Sequence, residues 1–161
     1  MGCLAMSKKI AKKLRKALRD DVVVTVPLAK LIKTIDTSVD VVPWNGEHWF
    51  TVAIQEKIMD DQMGYLIDSL LRYGFVCPIN VNYHNGSFQM GNGHHRLIAA
   101  AFCGIEEIPV KMYVPYSTPG DCCDWNNTER DSPAGNYTNY SVLSELYDAY
   151  EFGIHEILES L

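Results

Sequence analysis

The sequence predicts one small α/β domain, and three consecutive stretches predict it. DDQMGYLIDSLLRYG (60–74) has the apolar spacing of a helix. INVNYHNGSFQM (79–90) alternates apolar and polar residues around an Asn-Gly turn, the pattern of a two-stranded hairpin. GNGHHRLIAAAFCGIEEIPVKMYV (91–114) reads as a glycine turn, an alanine-rich helix and a further strand. With 161 residues and 47% apolar side chains, the chain is long enough to bury a core and too apolar for wholesale disorder.

Along the chain, KKIAKKLRKALRD (8–20) sets Ile10, Leu14, Ala17 and Leu18 on one helical face and its cations on the other. Three uses compete for this basic arm, residues 1–20. It could dock its stripe on the body or a sister subunit, track nucleic acid or an acidic partner, or lie on a membrane surface. Asp21–Val26 is β-branched and reads as a strand ended by Pro27, which then opens a brief helix, PLAKLIKTI. From Asp36 to Phe50 turn formers dominate, predicting a loop with a short extended piece. In the 60–74 helix, Asp60 or Asp61 can cap the start. Met63, Leu66, Ile67, Leu70 and Leu71 form the stripe, and Gly74 ends it. Ile79, Val81 and Tyr83 alternate with Asn80 and Asn82, predicting a strand with one wetted face. Its partner, Ser87–Met90, is interrupted by Gly91-Asn92-Gly93, and a helix follows over 95–102. Residues 115–140 are rich in proline and turn formers and predict a long irregular loop; residues 141–161 predict a closing helix.

Composition narrows the chemistry. The net charge is −6, yet nine cations lie between Lys8 and Lys33 against only Asp20 and Asp21. Any nucleic-acid contact is therefore expected on Lys8, Lys9, Lys12, Lys13, Arg15, Lys16 and Arg19. The five cysteines show no C-x-x-C spacing, and the histidines no H-x-x-x-H pair, so no structural zinc site is predicted. Cys122-Cys123 reads either as a metal- or redox-responsive pair or as two thiols in a polar loop. No apolar run approaches the ~20 residues of a membrane span. No signal peptide is legible, and Met6 stands where a myristoylation signal wants Ser or Thr. A soluble, cytoplasmic protein is the expectation.

The segment Gly91, Asn92, Gly93, His94, His95, Arg96 concentrates the functional signal. At a helix start, free N–H groups meet the positive end of the helix dipole, a natural anion site. Glycines let a phosphate approach the backbone. A guanidinium such as that of Arg96 can clamp phosphate with two hydrogen bonds. His94 and His95 can donate hydrogen bonds or pass a proton near neutral pH. The alternative is a structural turn with solvated histidines.

The same segment resembles the ParB/sulfiredoxin superfamily. Gly93, Arg96, Ala99, Ala100, Gly104 and Ile108-Pro109-Val110 fall into its glycine–arginine, small-residue helix, Gly, Ile-Pro-Val pattern. Upstream, LIDSLLRYGFVCPINV is similar to the family's helix, Gly, Pro-Ile-x-Val entry, so the resemblance spans roughly residues 22–114. It implies a single compact domain over 21–114, with a small mixed sheet and flanking helices, carrying extra terminal helices. It further implies a phosphate cradle at Gly91–Arg96 that takes ATP or CTP with Mg²⁺, and hydrolysis or phosphate transfer. The Gly-His-His-Arg version is similar to kinase-like and phage-type members. Three departures limit the transfer, the first being that chromosome-partitioning members have Glu and Arg where this chain has His94 and His95. His94 stands where sulfiredoxins place a cysteine, which argues against sulfinic-acid repair. Only a loop and one helix follow where chromosome-partitioning members carry a helix-turn-helix.

Candidate carboxylates for holding Mg²⁺ or accepting a proton are Glu47, Glu56, Asp60 and Asp61, in the region the family uses for activity. Glu47 leads, beside His48 in a Pro-Trp-Asn-Gly loop, with surface or capping roles as the alternative. The catalytic set is then Glu47, His94 and His95. Competing functions are a ParB-like nuclease or DNA-processing factor, and a non-catalytic scaffold binding a protein partner or a second copy of itself.

Overall fold

The computed structural model describes residues 2–60, 62–115, 125–127, 158, 159 and 161. Its centre is a five-stranded mixed sheet in the order β1-β5-β3-β4-β2. The strands are β1 (Val24–Pro27), β2 (Thr37–Ser38), β3 (Ile79–His84), β4 (Ser87–Asn92) and β5 (Glu107–Tyr113). The hairpin pairs β3 with β4 antiparallel, and its turn is the expected one: Asn85 and Gly86 take φ of 50° and 80°, the left-handed values a two-residue hairpin loop requires. β5 returns parallel to β3 after a crossover helix, and β1 closes the edge antiparallel to β5. With its helices, the sheet makes one compact α/β domain.

The helices are α1 (Gly2–Asp20), α2 (Leu28–Thr34), α3 (Trp49–Lys57), α4 (Gln62–Tyr73) and α5 (His94–Phe102). The stripe of α1 docks on the body: Ile10, Leu14 and Ala17 are buried, and the helix packs on α2, β1 and β5. α4 packs on α5, and α5 on β3, so the alanine-rich run Ala99–Ala101 is core, small enough for close approach.

Four expectations are corrected. β1 starts at Val24, with Val22 and Val23 exposed, and includes Pro27, which pairs with Glu107 and precedes α2 directly. Leu71 in α4 is half exposed, because the buried arc of that helix ends at Leu70. The Asn80/Asn82 side of β3 is less wetted than expected: both side chains are buried, Asn82 with its amide against Gly91 at the floor of a cleft over that face. The glycines do not interrupt β4 at position 91: the strand runs to Asn92, a register shift at Asn80/Val81 absorbs the irregularity, and only Gly93 turns the chain.

Helix α3 escapes the sequence reading altogether. WFTVAIQEK carries no single stripe, and Trp49, Phe50, Val52 and Ala53 are all buried. Its cap is His48, whose Nδ1 accepts the Phe50 N–H at 3.1 Å, in place of the usual Ser, Thr, Asp or Asn. Trp49 anchors the start, donating Nε1–H to the Ile35 carbonyl at 2.9 Å.

Of the predicted 115–140 loop, the described residues 125–127 dock on α4. Asn126 accepts from Val76 N–H at 2.8 Å and donates to the Gly74 carbonyl at 2.7 Å and Ser69 Oγ at 3.1 Å. Most of that loop, the closing helix up to residue 157, Asp61, Cys122-Cys123 and His155 lie outside the described residues. Cys77 and Cys103 are partly buried free thiols, and burial pushes Cys103 up to about 12, leaving it protonated and unreactive at neutral pH. Among the described residues, no helix is long and apolar enough to cross a membrane.

Candidate functional site

β4 delivers the chain to Gly93, and α5 starts on the next residue. Gly93 takes φ 106°, outside the range side chains favour. A Cβ there would stand 2.9 Å from Arg96 Nη2 and 2.9 Å from Ile79 Cγ2, so both backbone angle and space require glycine. Its carbonyl starts the helix, accepting from Leu97 N–H at 2.9 Å, and as a glycine it offers no side chain to cap the first turn. Beside that turn opens a cleft of about 290 Å³ lined by Val39, Asp40, Gly91, Asn92, Gly93, His94 and His95. Five of the six residues expected to cradle phosphate border this one cleft.

Arg96 is the sixth, and it points inward. It is fully buried, and its Nη1 donates to the carbonyls of Cys77 at 2.6 Å and Pro78 at 3.0 Å, tying the start of α5 to the entry of β3. The guanidinium thus lies beneath the turn rather than on the cleft surface.

His94 is buried as well. Its Nε2 lies 2.5 Å from Ser38 Oγ, and the Trp49 ring meets it edge-on with centroids 6.2 Å apart. Burial chiefly, with the nearby Lys57 cation, pushes His94 down to about 4, so it is neutral at pH 7. Lys57, at the end of α3, pairs with Asp40 at 2.6 Å. This hydrogen bond holds the Asp40 carboxyl below its ordinary value, and the pair sets a carboxylate on the cleft rim with a cation behind it.

His95 is half-buried and donates Nε2–H to Asp60 Oδ2 at 2.7 Å. Asp60 is therefore engaged by α5 through Oδ2. Among the described residues, no three His, Cys, Asp or Glu side chains cluster as metal ligands. Mg²⁺ commonly takes one or two carboxylates and completes its shell with phosphate oxygens and water. Of the two nearby carboxylates Asp40 borders the cleft and Asp60 does not, so the described residues offer a rim carboxylate to a cation arriving with a triphosphate and not a cage built from protein alone.

No protein-family model matches this chain, and no curated protein matches its sequence. Among solved structures, partial matches are found. The chain is similar to sulfiredoxin from Arabidopsis thaliana at 20% identity and TM-score 0.38, over 58% of this chain and 85% of that one. It is also similar to the C-terminally truncated chromosome-partitioning protein ParB from Caulobacter crescentus, complexed with CTP-gamma-S. That likeness has 18% identity and TM-score 0.38, over 58% of this chain and 44% of that one.

Glu47 does not line the glycine-turn cleft. It is exposed, its N–H donates to Asn45 Oδ1 at 3.3 Å, and it borders a neighbouring cleft of about 460 Å³ with Ser38, His48 and Trp49. Glu56 is exposed on α3. Lys8, Lys9, Lys12, Lys16 and Arg19 are exposed on the outer face of α1; Lys13 donates to the Thr25 carbonyl at 2.7 Å, and Arg15 is partly buried. A third cleft, about 530 Å³, lies over the polar side of the hairpin at Thr37, Asn82, His84, Ser87 and Gln89. Sequence reasoning missed Ser38, Asp40 and Lys57. Nothing local marks a serine 56 residues away as a partner for His94, and Lys57 sits on the helix that has no legible stripe.

Proposed function

We propose that this chain binds the phosphates of a nucleoside triphosphate, ATP or CTP with Mg²⁺, in the cleft at Gly91–His95. The observation that carries the reading is the convergence of the glycine-led start of α5 with His94, His95 and Asp40, itself paired to Lys57, on one polar cleft. Backbone N–H groups, a neutral imidazole donor and a nearby cation complement phosphate oxygens without any need for Arg96 at the surface. The cleft suits the phosphate end of a nucleotide. Mg²⁺ would come with it, shared with Asp40, and would neutralise charge on the phosphates.

For turnover, the arrangement favours His95 as base. A carboxylate accepting from one imidazole nitrogen orients the ring and leaves the other for a proton. Here Asp60 accepts from Nε2–H, so Nδ1 can take the proton of a water attacking the terminal phosphorus as the bond to the leaving diphosphate breaks. Transfer to a hydroxyl follows the same proton path. Glu47, in the neighbouring cleft, has no part in this reading.

Calorimetry with ATP, CTP and tripolyphosphate, with and without Mg²⁺, tests the binding. Lys57→Met and His95→Gln should each weaken it about tenfold, the size of one lost charge-assisted contact. His95→Gln should lower the rate of phosphate release more than affinity. Absence of binding for every polyphosphate would sink the reading. A second reading, contact with a nucleic-acid backbone, is favoured by the cations left exposed on the outer face of α1.

A further inference from the structure

Ser38 ends β2, where its hydroxyl closes a tight turn. Its Oγ accepts the N–H of Asp40 at 3.2 Å and of Val41 at 3.1 Å. A hydroxyl has two lone pairs and one proton, so both acceptor positions are filled. The only bond it has left to give His94 Nε2, 2.5 Å away, is its own O–H. Nε2 is then an acceptor, and a neutral imidazole with an accepting Nε2 carries its proton on Nδ1.

The groups around the ring agree. Lys57 on α3 and His95 on α5 disfavour a positive charge on it, Asp40 favours one, and burial outweighs them all. Trp49 stands against the ring at 89°. Among the described residues no group accepts from Nδ1, which leaves that N–H for an acceptor in the cleft His94 lines.

We infer that Ser38 is a positioning residue that locks His94 as the Nδ1–H tautomer, making it a fixed neutral donor to a phosphate oxygen and removing it from proton transfer. The phosphate half of this inference rests on the reading above; the tautomer half does not. It divides the adjacent histidines between two tasks, His94 holding the ligand and His95 handling the proton. The Ser38–His94 contact has the look of an activated serine, yet the lone pairs that would attack are both spent on backbone N–H groups, and the side chain is buried.

Long-range ¹H–¹⁵N correlation spectra of the full, ¹⁵N-histidine-labelled chain read the tautomer without ligand. His94 should show a protonated Nδ1 and bare Nε2, unchanged from about pH 5.5 to about pH 8. His48 should show the opposite tautomer in the same spectrum, because its Nδ1 accepts from Phe50. Ser38→Ala should release His94 into a tautomer mixture and weaken tripolyphosphate binding about fivefold, and Ser38→Thr should restore both. A wild-type His94 protonated on Nε2 overturns the inference even if no variant folds. So does a Ser38→Ala spectrum identical to wild type. The expected tautomer in a protein that ignores tripolyphosphate supports the role of Ser38 while overturning the phosphate reading.

Discussion

Arg96 Nη1 lies 2.6 Å from the carbonyl oxygen of Cys77, so the arginine of the glycine turn is a strut between α5 and β3. Truncating it removes two charge-assisted bonds to carbonyls and leaves a large void in a packed interior. Arg96→Ala should therefore cost about 3–5 kcal/mol of stability, measured by urea denaturation. Arg96→Lys should recover little, since an ammonium lacks the planar fork. An Arg96→Ala protein of wild-type stability would show that the guanidinium is not a strut.

Gly93 and Gly86 form a matched pair. Both take positive φ, but a Cβ at Gly86 meets nothing within 4 Å, whereas one at Gly93 meets Arg96 and Ile79. Gly86→Ala should cost only backbone strain, roughly 1 kcal/mol, and Gly93→Ala roughly 2–3 kcal/mol. Equal costs in denaturant unfolding would remove the packing argument at Gly93.

His94 makes stability depend on pH. Its ordinary value is 6.5 and its folded value about 4, so between these the unfolded chain binds a proton that the folded chain refuses. Stability should then fall as pH drops through that window, by at most about 1.4 kcal/mol per unit, and level off below it. His94→Gln should flatten the slope. His48, also lowered by burial, leaves a shallower residual dependence, and Asp40, held down by Lys57, adds its loss only at still lower pH. A slope unchanged in His94→Gln would show that the ring is not held neutral by the fold.

Helix α1 combines a core role with an exposed cationic face. Leu14→Ala should destabilise by about 2–4 kcal/mol, because Leu14 is fully buried. Replacing Lys9, Lys12 and Lys16 together by Glu should change stability by less than about 1 kcal/mol while abolishing any salt-sensitive DNA binding. Fluorescence anisotropy with duplex and single-stranded DNA across salt concentrations checks this. A folded triple variant that retains binding would move the nucleic-acid surface elsewhere.

The sequence by itself determined the order of elements from the 60–74 helix to β5, the Asn-Gly hairpin and the glycine turn at the head of α5. Those features rest on local physics: periodicity, turn chemistry and backbone angles are written in neighbouring residues. Five of the six residues it nominated for a phosphate cradle border one cleft, since they share one turn. What tertiary structure alone decided is which way each side chain faces and what it meets. Arg96 turned inward because helix α5 packs over the Cys77–Pro78 carbonyls. Ser38, Asp40 and Lys57 reached the histidines because β2 adds to β4 and an unforeseen helix, α3, follows it. Contacts across dozens of residues leave no periodic trace in the chain, so pairing and burial become visible only once the sheet has brought those segments together.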